Sequence, residues 1–223
     1  MKTADREFNG FPVEMTKFLY ELKYTNTVEK QDENIIKYKE YITTPLILLY
    51  ESLVPTVKAI SGNLEATPRR CISTPYTDRR FSPNAPLKEY MYIRYRHACR
   101  EKDNIGLYFD MGIEGYSFGM RIYDQTSEGM SKIRQMILNH PKKIEIELEK
   151  LKETGFLVFG EEYKKDHYPD IDSSLLKEIL NRKHFHICKD HDLNDNVYTS
   201  QLMEEIIVGF NELKGFIKLL EEM

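Results

Sequence analysis

Tyr90-Met91-Tyr92-Ile93-Arg94-Tyr95-Arg96 alternates aromatic or apolar residues with charged ones. A period of two is the mark of a strand with one buried face. Two aromatic-rich segments follow it, Ile105 to Met111 and Tyr116 to Tyr123. Gly112-Ile113-Glu114-Gly115 supplies turn chemistry between them. The three segments therefore predict an antiparallel meander at the middle of the chain.

Outward from the meander the periodicity changes to helical. Towards the N-terminus, Met15, Phe18, Leu19 and Leu22 are spaced as on a helix over Pro12 to Leu22, and a polar stretch, Lys23 to Asn34, follows. A second helix is expected over Ile35 to Ile60, with Leu46, Leu49, Leu53, Val57 and Ile60 as its apolar stripe. Pro45 or Pro55 would start or kink it. Ser61 to Ala85 holds several prolines and small polar residues and reads as a long loop. Towards the C-terminus, Ser127 to Asn139 is amphipathic, and Pro141 opens a helix reaching Lys152. Phe156 to Phe159 and Lys183 to Cys188 read as short strands, with a helix capped by Asp172 or Ser173 between them. A long final helix over Thr199 to Leu220 carries Leu202, Ile206, Phe210, Leu213, Ile217 and Leu220 on one face. Strands grouped mid-chain with helices on both sides give an α+β class: one antiparallel sheet covered by helices, with residues 1–223 as a single domain.

Composition narrows the function classes. The chain has 223 residues, 41% hydrophobic and 30% charged, which is ample for a core and a solvated surface. Its formal net charge of −4 speaks against general nucleic-acid binding. The tyrosine-rich strands have the chemistry to stack bases, but aromatic residues favour sheet faces in any case. The three cysteines, Cys71, Cys99 and Cys188, are far apart and form no CxxC, so free thiols in a reducing compartment are expected. The start, MKTADREFNGF, lacks the apolar stretch of a signal peptide. The longest apolar run, Pro45 to Tyr50, is too short to span a bilayer. Cytoplasmic location, with no membrane contact, follows by elimination.

The densest chemistry lies at Thr77-Asp78-Arg79-Arg80-Phe81-Ser82-Pro83-Asn84-Ala85-Pro86-Leu87-Lys88, on the loop that feeds the first strand. An arginine fork grips carboxylate or phosphate in a bidentate manner. Asp78 is placed to orient one arginine, or to pair with Arg80 and simply staple the loop. Phe81 is expected in the core, with Arg80 at least half buried.

The stretch Thr74-Pro75-Tyr76-Thr77-Asp78-Arg79-Arg80-Phe81-Ser82 resembles the hallmark of the family catalogued as domain of unknown function 2461. That hallmark has the form R-x-x-R-D-x-R-F, followed shortly by Asp or Asn, Lys and Tyr. Phe11-Pro12 with Phe18-Leu19 resembles the family's opening helix. Tyr116 to Tyr123, with the helix carrying Ile133-Arg134, resembles its glycine-containing strand and following helix, and His167-Tyr168-Pro169 through Phe185 its closing segment. Asp78, Arg80, Phe81 and Asn84 match. Thr74 and Thr77 stand where the hallmark has arginines, Ala85 stands where it has lysine with Lys88 close by, and the usual Trp-Phe pair near the second helix is missing. The resemblance implies a fold and brings no activity with it.

Two functions from different classes fit. The first is a pocket for a small anionic ligand, bearing phosphate or carboxylate, formed by Arg80, Lys88, Arg121 and Arg134 with Asp78 and Asn84 orienting them. The second is a non-catalytic scaffold or protein-binding domain whose Asp-x-Arg-Phe loop is structural. Nothing decides whether the chain is an enzyme: Ser and Cys nucleophile signatures are absent, and the carboxylate pairs Glu161-Glu162 and Asp170-Asp172 are ordinary in so charged a chain. No cofactor is called for, because the glycines form no GxGxxG or Walker pattern. His184, His186 and Cys188 project from one face of a strand, but they lack paired zinc-ligand spacing and a fourth ligand, so no metal is expected. Leu219-Leu220 at the end of the last helix offers a contact for a homodimer.

Overall fold

The computed structural model describes residues 7–27, 30–76, 86–99 and 101–222. The expected meander is present: β1 (Met91–Arg96), β2 (Asn104–Met111) and β3 (Gly115–Tyr123) pair antiparallel in chain order. Two later strands extend the sheet. β4 (Leu157–Phe159) forms the outer edge, and β5 (His186–Asp192) inserts between β3 and β4, giving the order β1-β2-β3-β5-β4. All pairings are antiparallel, so the class is α+β.

Alternation sends Met91, Ile93 and Tyr95 of β1, Leu107 and Phe109 of β2, and Phe118 and Met120 of β3 to one face, all essentially buried. That face packs against α3 (Thr44–Ile60) and α8 (Gln201–Glu221), the long C-terminal helix. Leu202, Ile206, Phe210, Leu213 and Ile217 of α8 are buried, as their spacing predicts. Gly209 lets the helix approach the sheet: a Cβ there would lie 2.3 Å from the Phe118 ring. α1 (Glu14–Thr25) adds Met15, Phe18, Leu19 and Leu22 to the same core.

The structure revises several boundaries. The expected helix over Ile35 to Ile60 is divided: α2 (Gln31–Tyr38) passes through a π-helical turn, Lys39–Thr43, into α3. Thr44 N–H donates to Lys39 O, five residues back. Pro45 explains the wider turn, since it has no N–H to continue the ordinary ladder into the first turn of α3. The loop after α3 holds one helical turn, α4 (Pro68–Cys71), and isolated bridges such as Ile72 to Ile93 that lay it along β1.

After the meander, α5 (Ser127–Asn139) starts where Thr126 accepts from Gly129 N–H at 2.9 Å. α6 (Pro141–Glu153) follows directly. Ser173, one of the two expected caps, accepts from Leu176 N–H at the start of α7 (Ser174–Leu180). β5 runs to Asp192 rather than ending at Cys188, and His184 lies before it. Its second half is polar but not a loop, because Lys189 and His191 face α8 and meet Glu212 at 2.8 Å and Glu205 at 3.2 Å. α8 begins two residues later than the expected Thr199. Among the described residues, no helix is long and apolar enough to cross a membrane.

Candidate functional site

The face of the sheet turned away from α3 and α8 is polar, and register arranges it in three rows. Tyr92, Asp110, Ser117 and Asp190 form one; Arg94, Tyr108, Gly119 and Cys188 the next; Arg96, Gly106, Arg121 and His186 the third. Each arginine lies over a tyrosine ring. Arg94 Cζ is 3.8 Å from the Tyr92 centroid, Arg96 4.3 Å from Tyr123, and Arg121 5.0 Å from Tyr108. Guanidinium planes favour this contact, and they cover the rings. Tyr108 is only 2% exposed and Tyr123 8%.

Several polar atoms here lack partners. The Tyr123 hydroxyl, the Arg94 Nε and the Asp110 Oδ1 are buried without a hydrogen bond. Arg94 and Asp110 approach to 3.7 Å, an ion pair too long for a hydrogen bond. Arg121 makes no hydrogen bond or ion pair with any described residue; its guanidinium meets only the Tyr108 ring. By contrast, Arg96 is paired with Asp124 at 2.6 Å. Burial pushes the Tyr123 phenol up to about 12, against the pull of Arg94 and Arg121. Burial also raises the Asp110 carboxyl, with the same two arginines opposing. Arg96 also pulls on the Tyr123 phenol. Gly106 makes the Tyr123 position available, since a Cβ there would lie 2.6 Å from the ring and 2.5 Å from the Tyr95 carbonyl oxygen.

Tyr108 reaches across the second row. Its hydroxyl is 3.3 Å from Ser117 Oγ and also contacts the Cys188 thiol, which in turn donates to Asp190 at 3.6 Å. Burial raises both the Tyr108 phenol and the Cys188 thiol, so neither is an ionised nucleophile at neutral pH. His186 is pushed down to about 4 by burial and then by Arg121, and its ring stacks on Phe159 at 5.6 Å. Among the described residues no group of three or more His, Cys, Asp or Glu is arranged to hold a metal ion.

At the end of this face, between the β2–β3 turn and the end of β5, lies a cavity of about 710 Å3. Arg94, Asp110, Glu114, Ser117, Asp190 and Asp192 contribute to its lining.

The six residues selected from sequence separate into three groups. Lys88 and Arg121 reach the polar face: Lys88 Nζ lies 5.5 Å from the same Tyr92 ring that Arg94 covers, and burial followed by Arg94 lowers its pKa. Arg134 does other work. Its Nε donates to Leu180 O at 3.1 Å and its Nη2 to Arg182 O at 2.6 Å, capping the end of α7. Asp78, Arg80 and Asn84 lie outside the described residues, as does Phe81. Sequence reasoning missed Arg94, Tyr108, Asp110 and Tyr123. The usable signal was the alternation in β2, which sets Gly106, Tyr108 and Asp110 opposite Leu107, Phe109 and Met111.

A family model described as "Conserved hypothetical protein (DUF2461)" matches residues 14–219. The match takes in every strand and all but the last two residues of α8. Comparison with curated proteins gives no match. The chain belongs to the DUF2461 family.

Proposed function

We propose that this DUF2461 protein binds a small anionic ligand, bearing phosphate or carboxylate, on the polar face of its sheet. Arg94 and Arg121 supply the guanidinium groups, the Tyr123 hydroxyl donates between them, and Lys88 adds a nearby positive charge. Asp78, Arg80 and Asn84 enter the proposal from the sequence alone, and Arg134 leaves it, because carbonyl oxygens occupy its donors. The observation that carries the proposal is the Tyr123 hydroxyl, unpartnered on a residue only 8% exposed and in the field of three arginines, Arg94, Arg121 and Arg96. A buried hydroxyl without a partner costs about 1–3 kcal/mol, and an anion oxygen would both accept its proton and neutralise Arg121. The three free thiols fit the same picture of a cytoplasmic protein.

Thermal unfolding in phosphate and in chloride at matched ionic strength tests the proposal. Phosphate should raise the melting temperature of the wild type more than chloride does. Part of that effect is general exclusion from protein surface, so the Arg94→Ala, Arg121→Ala double variant is the control. Tyr123→Phe sharpens the test. Without phosphate it should be neutral or slightly stabilising, since it deletes an unpartnered hydroxyl. With phosphate it should lose part of the shift. A shift that survives intact in the double variant means no specific site, and the scaffold function then stands in its place.

A further inference from the structure

Arg121 and His186 stand directly opposite one another on β3 and β5, with both side chains on the polar face. Facing residues of an antiparallel pair bring their Cβ atoms within about 5 Å. On its other flank His186 is opposite Phe159 of β4, and its ring stacks on that ring at 5.6 Å, 19° from parallel. The stack fixes the plane of the imidazole but uses neither of its nitrogens. Among the described residues the half-buried imidazole makes no hydrogen bond or ion pair. Arg121 beside it meets only the Tyr108 ring. Two adjacent nitrogen-bearing side chains thus share one stretch of the polar face, and neither has an acceptor among the described residues.

Burial, and then Arg121, disfavour the charged form of His186 and hold its pKa at about 4. Asp190, further along β5, pulls the other way, while His184 and Arg182 add smaller repulsions. An anion at Arg121 reverses the second of these causes. It offsets the guanidinium charge and gives the imidazole an acceptor, and both changes favour the protonated ring. We infer that His186 is a ligand-binding residue of the anion site and takes up a proton as the anion binds. The proton comes from solvent and goes to the ring nitrogen that carries none; the imidazolium then donates to the anion alongside Arg121. By linkage, affinity for the anion rises as pH falls. This inference rests on the anion site proposed above.

Calorimetric titration of the full chain with sodium sulfate at pH 7 and at pH 5 is the test, because sulfate is a dianion at both and phosphate is not. Sulfate should bind about fivefold more tightly at pH 5. His186→Gln removes the titrating ring and should lose most of that rise, with circular dichroism establishing that the variant is folded. His186→Phe, which keeps an aromatic ring against Phe159, takes its place if it is not. Equal affinity at the two pH values in the wild type would overturn the inference and leave the anion site in place. If sulfate binds at neither pH, the anion site falls and the inference falls with it. A rise of the same size in the variant assigns the proton to another group, such as the raised Asp110 carboxyl near Arg94 and Arg121, and also overturns the inference.

Discussion

Replacing Arg134 by Ala should destabilise the fold by about 3 kcal/mol and leave phosphate binding untouched. Arg134 projects from α5 to the carbonyl oxygens of Leu180 and Arg182, at 3.1 and 2.6 Å. Its guanidinium also lies over Tyr163, 5.4 Å from the centroid. Those carbonyls belong to the end of α7, where backbone acceptors have no helical donor. Leu180 is fully buried and Arg182 is 8% exposed, so water compensates poorly for the lost donor. A hydrogen bond from a charged donor is worth about 1.5–3 kcal/mol. Two such bonds, discounted because Arg134 itself is only half-buried, give the figure of about 3 kcal/mol.

Urea unfolding followed by circular dichroism measures the loss. At a slope of about 3 kcal/mol/M the midpoint should fall by about 1 M. Arg134→Met keeps the aliphatic stem and removes the donors, so it should recover only the packing part. A loss below about 0.5 kcal/mol, together with disappearance of the phosphate-induced thermal shift, would refute the capping role and return Arg134 to the ligand site.

His186 gives a pH dependence. Its folded pKa of about 4 lies below the ordinary 6.5, so between those values the unfolded chain binds more protons. The associated stability is complete above 6.5 and is lost as pH falls towards 4. A fully buried group would give about 3 kcal/mol, and solvent reaching His186 reduces this to about 1 kcal/mol. The wild type minus His186→Gln difference in unfolding free energy, taken at several pH values, should show that slope; a flat difference would contradict it. On α8, Gly209→Ala should cost about 1–2 kcal/mol, because its Cβ meets the Phe118 ring at 2.3 Å. Gly215→Ala should instead stabilise by about 0.5 kcal/mol in the same denaturation assay, since its Cβ meets only the movable carboxylate of Glu147. A thiol reagent should modify exposed Cys99 at once and reach Cys71 and Cys188 only on unfolding, as mass spectrometry would count.

The fold was legible wherever one side-chain period dominated. β1 to β3 and the apolar stripe of α8 are cases where burial of a single face determines the spacing of residues. Legibility failed where the partner is remote. Lys189 and His191 look like loop residues until Glu212 and Glu205 of α8 are placed opposite them. The π turn at Lys39–Thr43 is invisible to a pattern that averages over turns. At the site, an arginine's charge could be read but not its employment. Arg121 and Arg134 are equal in sequence, yet one lies over a ring with no acceptor and the other is consumed by a helix end.

The topology explains why a polar site forms on this sheet at all. α3 and α8 pack on one face, and α6 packs against α8 on that side. The opposite face holds no comparable helix among the described residues, so its rings must be covered from within the sheet. Lysine would do this poorly, because its strongly hydrated ammonium resists lying flat on an aromatic surface. Arginine does it at low cost and keeps its edge donors free. Arg94, Arg96 and Arg121 thus serve the fold by shielding Tyr92, Tyr123 and Tyr108. Asp124 accepts from the Nη2 of Arg96, whose Nε, like that of Arg94, is buried without a hydrogen bond. Among the described residues Arg121 makes no hydrogen bond or ion pair, and the Arg94 Nε and the Tyr123 hydroxyl are buried without a hydrogen bond. Shielding accounts for where the planes lie, and the donors it leaves at Arg94 and Arg121 are those that the proposed anion would engage.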